Sequence, residues 1–408
     1  MYKKQLLYDI FQAYYDARKN KRNTINALKF EINYEIELLK LYEEIINKTY
    51  EIKSSICFVN FSPVQREIFA ADFRDRILHH LIYNYISPYF EKIFINDSYS
   101  CRKDKGTHYG IKRLNHFIRS CSNNYKNDCY ILKLDIKGYF MAINKNILFS
   151  QVKNTLSQYC FVDPTGQAIE KYNKSINFDI DLILWLIKKI IFNDSTKNCQ
   201  IKGGKEDWKG LPKDKSLFFA NNNCGLPIGN LTSQLFGNVY LNDFDHFIKN
   251  NLCVKYYGRY VDDFVILHQD REYLKSLIPV LTEYLQTNLS LTLHPKKIYL
   301  QHYTKGVKFL GTVIKPYRIY TGNRTKGNFY DTIQYWNKII RQNKLHILNK
   351  EQEREFLSSI NSYLGIMKHY NTYKLRKKML LENLSAYFYN YFYITNNYSK
   401  LAPKIKIL

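Results

Sequence analysis

Asp262 and Asp263 stand side by side in Tyr260-Val261-Asp262-Asp263, within the run VKYYGRYVDDFVILH. Two adjacent carboxylates among aromatic and β-branched residues repel each other unless a cation lies between them. A divalent ion meets that need. Mg2+ takes oxygen ligands, usually one or two carboxylates together with substrate phosphates. A third acid, Asp135, closes the apolar β-rich stretch of CYILKLDI. Three carboxylates from two strand regions can hold two ions, an arrangement that clamps an attacking 3′ oxygen and a leaving pyrophosphate. Nucleotidyl transfer has that physical requirement, because its catalysis is mostly positioning and charge stabilisation. Taken alone, the paired acids would read equally well as a solvated turn, and the third carboxylate tips the balance.

Between the acids lies GLPIGNLTSQLFGNVYLNDFDHF, residues 225–247. Gly225, Pro227 and Gly229 create a loop whose backbone can approach a base or phosphate closely. Thr232 or Ser233 is expected to cap the helix that follows. A loop-to-helix step suits the place where an incoming nucleotide meets its template. Without the acids it would read as an ordinary capped helix.

The elements that must position these residues follow from periodicity. Residues 1–50 read as helical, with Ile36, Leu39, Leu41, Ile45 and Ile46 at helical spacing. A second helix is expected in FRDRILHHLIYNYISPYFEKIF, its stripe formed by Leu78, Leu81, Ile82, Tyr85 and Ile86, with Pro88 bending or ending it. His79 and His80 sit in that stripe and read as packing or local hydrogen-bonding residues, not metal ligands. NDSTKNCQIKGGKEDWKGLPKDKS reads as an irregular insertion or β-hairpin. Residues 231–250 are expected to be helical, with Leu235, Val239, Phe244, Phe247 and Ile248 on one face. Residues 254–268 read as two strands around a tight turn, 270–288 as helix and VKFLGTVIKPYRIY as strand. The chain beyond about 325 reads as helical and basic.

Composition bounds the partners. Lys and Arg total 61 against 36 for Asp and Glu, a net charge of +25 over 408 residues, which predicts attraction to a polyanion. Aromatic residues reach 16% and can stack on bases. An apolar content of 45% is enough for sizeable cores and argues against a disordered chain. The eight cysteines (Cys57, Cys101, Cys121, Cys129, Cys160, Cys199, Cys224 and Cys253) form no C-x-x-C pair, so zinc is not expected and free thiols in a reducing compartment are. MYKKQLLYDIFQ lacks a signal-peptide apolar run, and no window approaches a membrane span, so a cytosolic protein without a membrane partner is expected.

The order Asp135, then Gly225-Leu226-Pro227-Ile228-Gly229, then Tyr260-Val261-Asp262-Asp263 resembles the palm of reverse transcriptases. Flanking blocks resemble the same family in the same order. SYSCRKDKGTH resembles the fingers motif whose Arg, here Arg102, contacts the triphosphate. LTLHPKK resembles the segment bearing a Lys near the leaving pyrophosphate, here Lys297 or, less directly, Lys296. VKFLG resembles the primer grip, with Phe309, Leu310 and Gly311. The resemblance implies an α+β right-hand polymerase. A helical extension would occupy 1–54, fingers and palm 55–320, and a helical thumb with a basic C-terminal region 321–408. It implies two Mg2+ ions at Asp135, Ile136, Asp262 and Asp263. Phe140 would be a steric gate against the ribose 2′-OH, and Arg102, Phe140, Ile228, Gly229 and Lys297 would surround the dNTP. The last helical region is expected to bind RNA or DNA through Lys368, Lys374, Arg376, Lys377 and Lys378.

REIFAADFRDRILHH, the I-G-N-L-T-S-Q block and SYLGIMKHYNTYKLRKK resemble the reverse transcriptases of bacterial diversity-generating retroelements. In most group II intron and retroviral enzymes a Gln stands where this chain has Ile228, and a Ser-Pro or its relative where it has Ser233-Gln234. In the resembled group the apolar replacement accompanies error-prone copying. Phage-defence reverse transcriptases share parts of the pattern, so the resemblance leaves two biological programmes open: retroelement mutagenesis, or synthesis of a defence DNA from a noncoding RNA or by protein priming. A catalytically dead RNA scaffold fits poorly with three intact acids. No nuclease, RNase H or zinc domain is evident, which implies partners: a structured template RNA, a DNA or RNA primer, and an accessory protein or a second copy.

Overall fold

The computed structural model describes residues 2–19, 21–61, 64–158 and 178–404. Cys160 lies outside them. The other seven cysteines are free thiols, as expected.

Three helices, Tyr2–Arg18, Ile25–Glu31 and Tyr34–Ile46, open the chain. The third buries Leu38, Leu41 and Ile45. The expected stripe is only half right, because Ile36 and Leu39 are exposed. Apolar residues on this helix cover more than one face, and neighbours choose which turns inward: Tyr34, at its start, stacks on Tyr14 of the first helix with ring centroids 5.0 Å apart.

The helix Phe73–Ile93 starts at Asp72, whose carboxylate accepts from the Arg74 N–H. Leu78, Leu81, Ile82 and Ile86 are buried along it, and Tyr85 is half-buried. Pro88 does not end this helix. It sits on the exposed side, where the carbonyl left without a donor can take water. Tyr85 donates to Asp9 at 2.7 Å, which ties this helix to the N-terminal one.

Strand Ser55–Asn60 pairs antiparallel with Arg66–Ala70 and parallel with Cys199–Ile201. The polar segment after 192 is therefore not a hairpin. Its one short strand joins a distant partner, and 3-10 turns follow. A four-stranded sheet has the order Tyr256–Tyr260, Asp263–His268, Tyr130–Asp135, Tyr299–His302. Strands Val307–Phe309, Thr312–Lys315 and Arg318–Thr321 form an antiparallel meander.

Two compact units interleave along the chain. One comprises residues 1–106, 133–266 and 272–299, the other 107–132, 267–271 and 300–408. The second unit has its own core. Helices Asn323–Gln342 and Lys350–Met367 bury Phe329, Ile333, Trp336, Phe356 and Ile360 together. The chain after 325 is helical as expected, except that Phe392–Thr395 and Lys400–Pro403 form a β-hairpin. Among the described residues no helix is long and apolar enough to cross a membrane.

Candidate active site

Strands Tyr256–Tyr260 and Asp263–His268 meet at a two-residue turn, Val261-Asp262. Phe264, Val265, Ile266 and Leu267 form a continuous buried run that anchors the second strand. Val261 has φ 57°, a left-handed conformation that costs a β-branched residue about 1–2 kcal/mol. The turn is held from below. Arg259, wholly buried, donates to the Val261 carbonyl at 2.9 Å.

The neighbouring strand, Tyr130–Asp135, brings Asp135 to this turn, where the Ile136 N–H donates to the Asp262 carbonyl at 3.3 Å. The His294 N–H donates to the Asp135 carbonyl at 2.8 Å. Lys297 then lies 2.9 and 3.0 Å from the two Asp135 carboxylate oxygens. Lys133 pairs with Asp263 Oδ2 at 2.9 Å, while Asp263 Oδ1 is buried without a hydrogen-bond partner. Burial, with the charges of Asp135 and Asp263 added, pushes the Asp262 carboxyl up to about 6. Burial also raises Asp263, against the pull of Lys133.

Lys133 was not foreseen as part of this cluster. The signal was available, since it lies two residues before Asp135 and side chains at i and i+2 share a strand face. Among the described residues, Asp135 lies near enough to act on Asp262, yet the acids do not converge into a ready-made metal cluster. Lysines balance two of them instead. The donor set still fits a hard cation: it is all oxygen, one buried carboxylate oxygen is orphaned, and Asp262 carries unneutralised charge that a cation would relieve. Ile136 has no donor in its buried aliphatic side chain, so only its backbone carbonyl could contribute.

The loop before Leu231–Tyr240 is stitched to its surroundings. Leu226 N–H donates to the Phe140 carbonyl and Phe69 N–H to the Ile228 carbonyl, both at 2.8 Å. Gly229, at φ 125°, is required here, because a Cβ would lie 3.0 Å from the Phe69 carbonyl oxygen. Neither Thr232 nor Ser233 caps the helix. Asn230 occupies the cap position, and Thr232 is buried against His79 Nδ1 at 2.7 Å. The packing role expected of His79 follows from that contact. Phe140 and Ile228, far apart in sequence, both pack partly buried on a cluster of Cys57, Phe69, Met141 and Leu217. Gly237 leaves room for the Phe140 ring, which a Cβ there would meet at 3.3 Å.

The profile of the reverse transcriptase (RNA-dependent DNA polymerase) family matches residues 65–314, more than half of the chain. This chain belongs to the reverse transcriptase family. The mixed α+β architecture is that of a right-hand polymerase, and the enzyme is an RNA-directed DNA polymerase. Protein YkfC of Escherichia coli (strain K12) is 21% identical over 324 residues, 70% of this chain and 73% of that protein. Telomerase from Candida albicans, solved with a TWJ fragment of telomeric RNA, is 12% identical with a TM-score of 0.42. The match covers 89% of this chain and 62% of that one. Apo telomerase from Candida tropicalis is 10% identical with a TM-score of 0.47, covering 84% and 62%. The chain thus spans less than two thirds of either telomerase chain.

In this reverse transcriptase Arg102 is not presented to a triphosphate. Its guanidinium is buried, donating to Glu91 at 2.8 Å and to the Ile95 and Ser98 carbonyls at 2.6 and 3.0 Å. It anchors its own loop, a use that sequence cannot distinguish from phosphate binding. Phe309 is buried, and Leu310 and Gly311, at φ 47° and 79°, form the tight turn to Thr312. Lys368, Lys374, Lys377 and Lys378 are exposed. Arg376 is buried, with Nη1 donating to the Asn397 carbonyl at 3.2 Å, so it stabilises the fold instead of offering a phosphate contact. Asp245 and Arg259 were missed, because nothing in their spacing marks them as partners.

Proposed function

We propose that this reverse transcriptase copies a dedicated structured RNA into cDNA, using two Mg2+ ions held by Asp135, Asp262 and Asp263 with the Ile136 carbonyl. One observation carries the reading: a strained, braced turn holds two carboxylates beside a third, and a buried Asp263 oxygen is left unpartnered. Bound cations would neutralise charge developing on the attacking 3′ oxygen and the leaving pyrophosphate. The chain's own residues supply the rest. Lys297 keeps a cation beside Asp135, ready to meet negative charge on a departing phosphate. The Phe140 ring, braced against the Gly237 backbone, crowds the position of a 2′-OH. Gly229 lets the loop backbone approach the nascent pair.

In this reading residues 1–54 are a helical extension, 55–320 fingers and palm, and 321–408 thumb and basic C-terminal region. The biological setting we infer is a diversity-generating retroelement with error-prone copying, supported by Ile228 in I-G-N-L-T-S-Q and by the flanking blocks that resemble that group. An RNA partner is further supported by the net charge of +25. The test is to sequence the RNA that copurifies with the protein together with the DNA it makes. A template repeat copied with scattered substitutions is expected. A single invariant or repetitive DNA from an unrelated noncoding RNA would reject the retroelement role and point to defence. No DNA product on any template would reject the polymerase reading itself.

A further inference from the structure

The second unit contains an open cleft of about 640 Å³ whose lining includes two tyrosines, two arginines and asparagines but no acid. Tyr125 and Tyr317 face each other there, ring centroids 4.5 Å apart and tilted by 57°. Both are held in unfavourable backbone conformations. Asn123, Asn124 and Tyr125 follow one another at φ 47°, 55° and 70° after the helix Thr107–Cys121. Tyr317 has φ 60° at the third position of Lys315-Pro316-Tyr317-Arg318, the two-residue link between paired strands. That position favours glycine. Core packing does not account for the choice of Tyr, because Tyr317 is 77% exposed. Left-handed strain at non-glycine residues persists where the surroundings impose it, and it clusters at ligand clamps.

The charges around the rings agree. Arg119 and Arg318 are exposed, and neither pairs with a carboxylate among the described residues. Arg119 donates to Asn124 Oδ1 at 3.2 Å, which steadies it at the rim. Asn371 accepts from the Ile319 N–H at 3.0 Å through Oδ1, leaving its amide nitrogen as a donor. Arg318 donates to the Tyr320 hydroxyl at 3.4 Å, and both guanidinium groups keep further donors. Aromatic faces beside guanidinium groups without a carboxylate partner match a base and its phosphates. A duplex keeps its bases stacked on each other, so only an unpaired strand can offer one to Tyr317.

We propose that this cleft binds an unpaired nucleotide of single-stranded RNA, the base on Tyr317 and Tyr125 and the flanking phosphates on Arg119 and Arg318. It is an anchor for RNA within the second unit, separate from the carboxylates. The proposal rests on the reading of the chain as an enzyme that works on RNA, and its test does not need polymerisation.

The full chain is titrated by fluorescence anisotropy with a labelled twelve-nucleotide oligouridylate and with an RNA duplex of equal length. Tyr317→Gly is the informative variant, since glycine relieves the positive φ and the fold should lose no thermal stability. Tyr317→Gly and the double variant Arg119→Ala/Arg318→Ala should each weaken oligouridylate binding at least about fivefold. Duplex binding should stay unchanged, and Tyr317→Phe should bind like the wild type. Wild-type oligouridylate affinity in both variants would overturn the proposal, as would equal losses for single strand and duplex. A wild type that makes no DNA but shows this binding pattern would reject the polymerase reading and leave the cleft assignment standing.

Discussion

Arg259 and Asp245, neither with any exposed side-chain surface, meet fork to fork: Nε to Oδ1 at 2.8 Å and Nη2 to Oδ2 at 2.6 Å. Tyr257 adds a third donor to the same carboxylate at 2.5 Å. The remaining Arg259 nitrogen reaches the Val261 carbonyl, so a buried ion pair orients the turn that carries Asp262 and Asp263. Arg259→Met should destabilise the protein by about 3–5 kcal/mol, because it strands the Asp245 charge in the interior. Arg259→Lys keeps the charge but loses the fork. It should fold and yet extend primers about tenfold more slowly or worse, since small misplacements of catalytic groups are costly. Urea unfolding and steady-state kinetics separate the two effects. Wild-type kcat in Arg259→Lys would show that the turn holds itself.

Asp262→Asn and Asp263→Asn should each abolish DNA synthesis while RNA affinity stays within about twofold, since phosphate contacts carry that affinity. Mg2+ should raise the wild-type melting temperature by binding the folded state, and raise that of Asp263→Asn less. Chelation should stop synthesis and Mg2+ should restore it. Near-normal primer extension by either variant would remove these residues from the centre.

Burial, with the charges of Arg76 and His80 added, lowers the His79 imidazole to about 3. The unfolded chain takes a proton below about pH 6.5, and the fold refuses it until about pH 3. The neutral ring's contribution is therefore complete above pH 6.5 and is lost as pH falls toward 3. At pH 5 that loss is about 2 kcal/mol. His79→Gln cannot titrate and should show a shallower fall between pH 7.5 and 5 in urea unfolding. A parallel fall in both proteins would exclude His79 as the source.

Ile228 offers apolar contact and no side-chain hydrogen bond where the resemblance implies Gln in most group II intron and retroviral enzymes. A missing polar contact of about 1 kcal/mol changes discrimination several-fold. Ile228→Gln should therefore lower the substitution rate by a few fold, read by deep sequencing of cDNA made on one template. Equal error spectra from two active enzymes would mean that Ile228 marks ancestry and does not cause misincorporation.

Replacing Lys368, Lys374, Lys377 and Lys378 together by Ala should weaken RNA binding and reduce its salt slope, because fewer counterions are released. Arg376→Ala should instead lower the melting temperature with the slope unchanged, since its guanidinium bonds to Asn397 inside the unit. A slope unaffected by the four lysines would make that run a solvated face.

The primary sequence by itself determined the family, the order of the acids and most elements around them. Asp135, Gly229, Asp262 and Asp263 are legible because their chemistry or backbone demands are local: a strand end, a left-handed turn, two adjacent carboxylates. The tertiary structure decided what depends on distant partners. Lys133 joins the acids because strand register puts it on Asp263, and Lys297 because the His294 turn folds back on Asp135. Arg102 and Arg376 look like phosphate ligands in sequence, yet Arg102 is taken up by Glu91 and the Ile95 and Ser98 carbonyls, and Arg376 by Thr372 and the Asn397 carbonyl. Thr232 was expected at a cap and went to His79, 153 positions away along the chain. An arginine's type states only that it is a charged donor. Burial and the acceptors within reach decide whether that charge holds the fold together or meets a substrate.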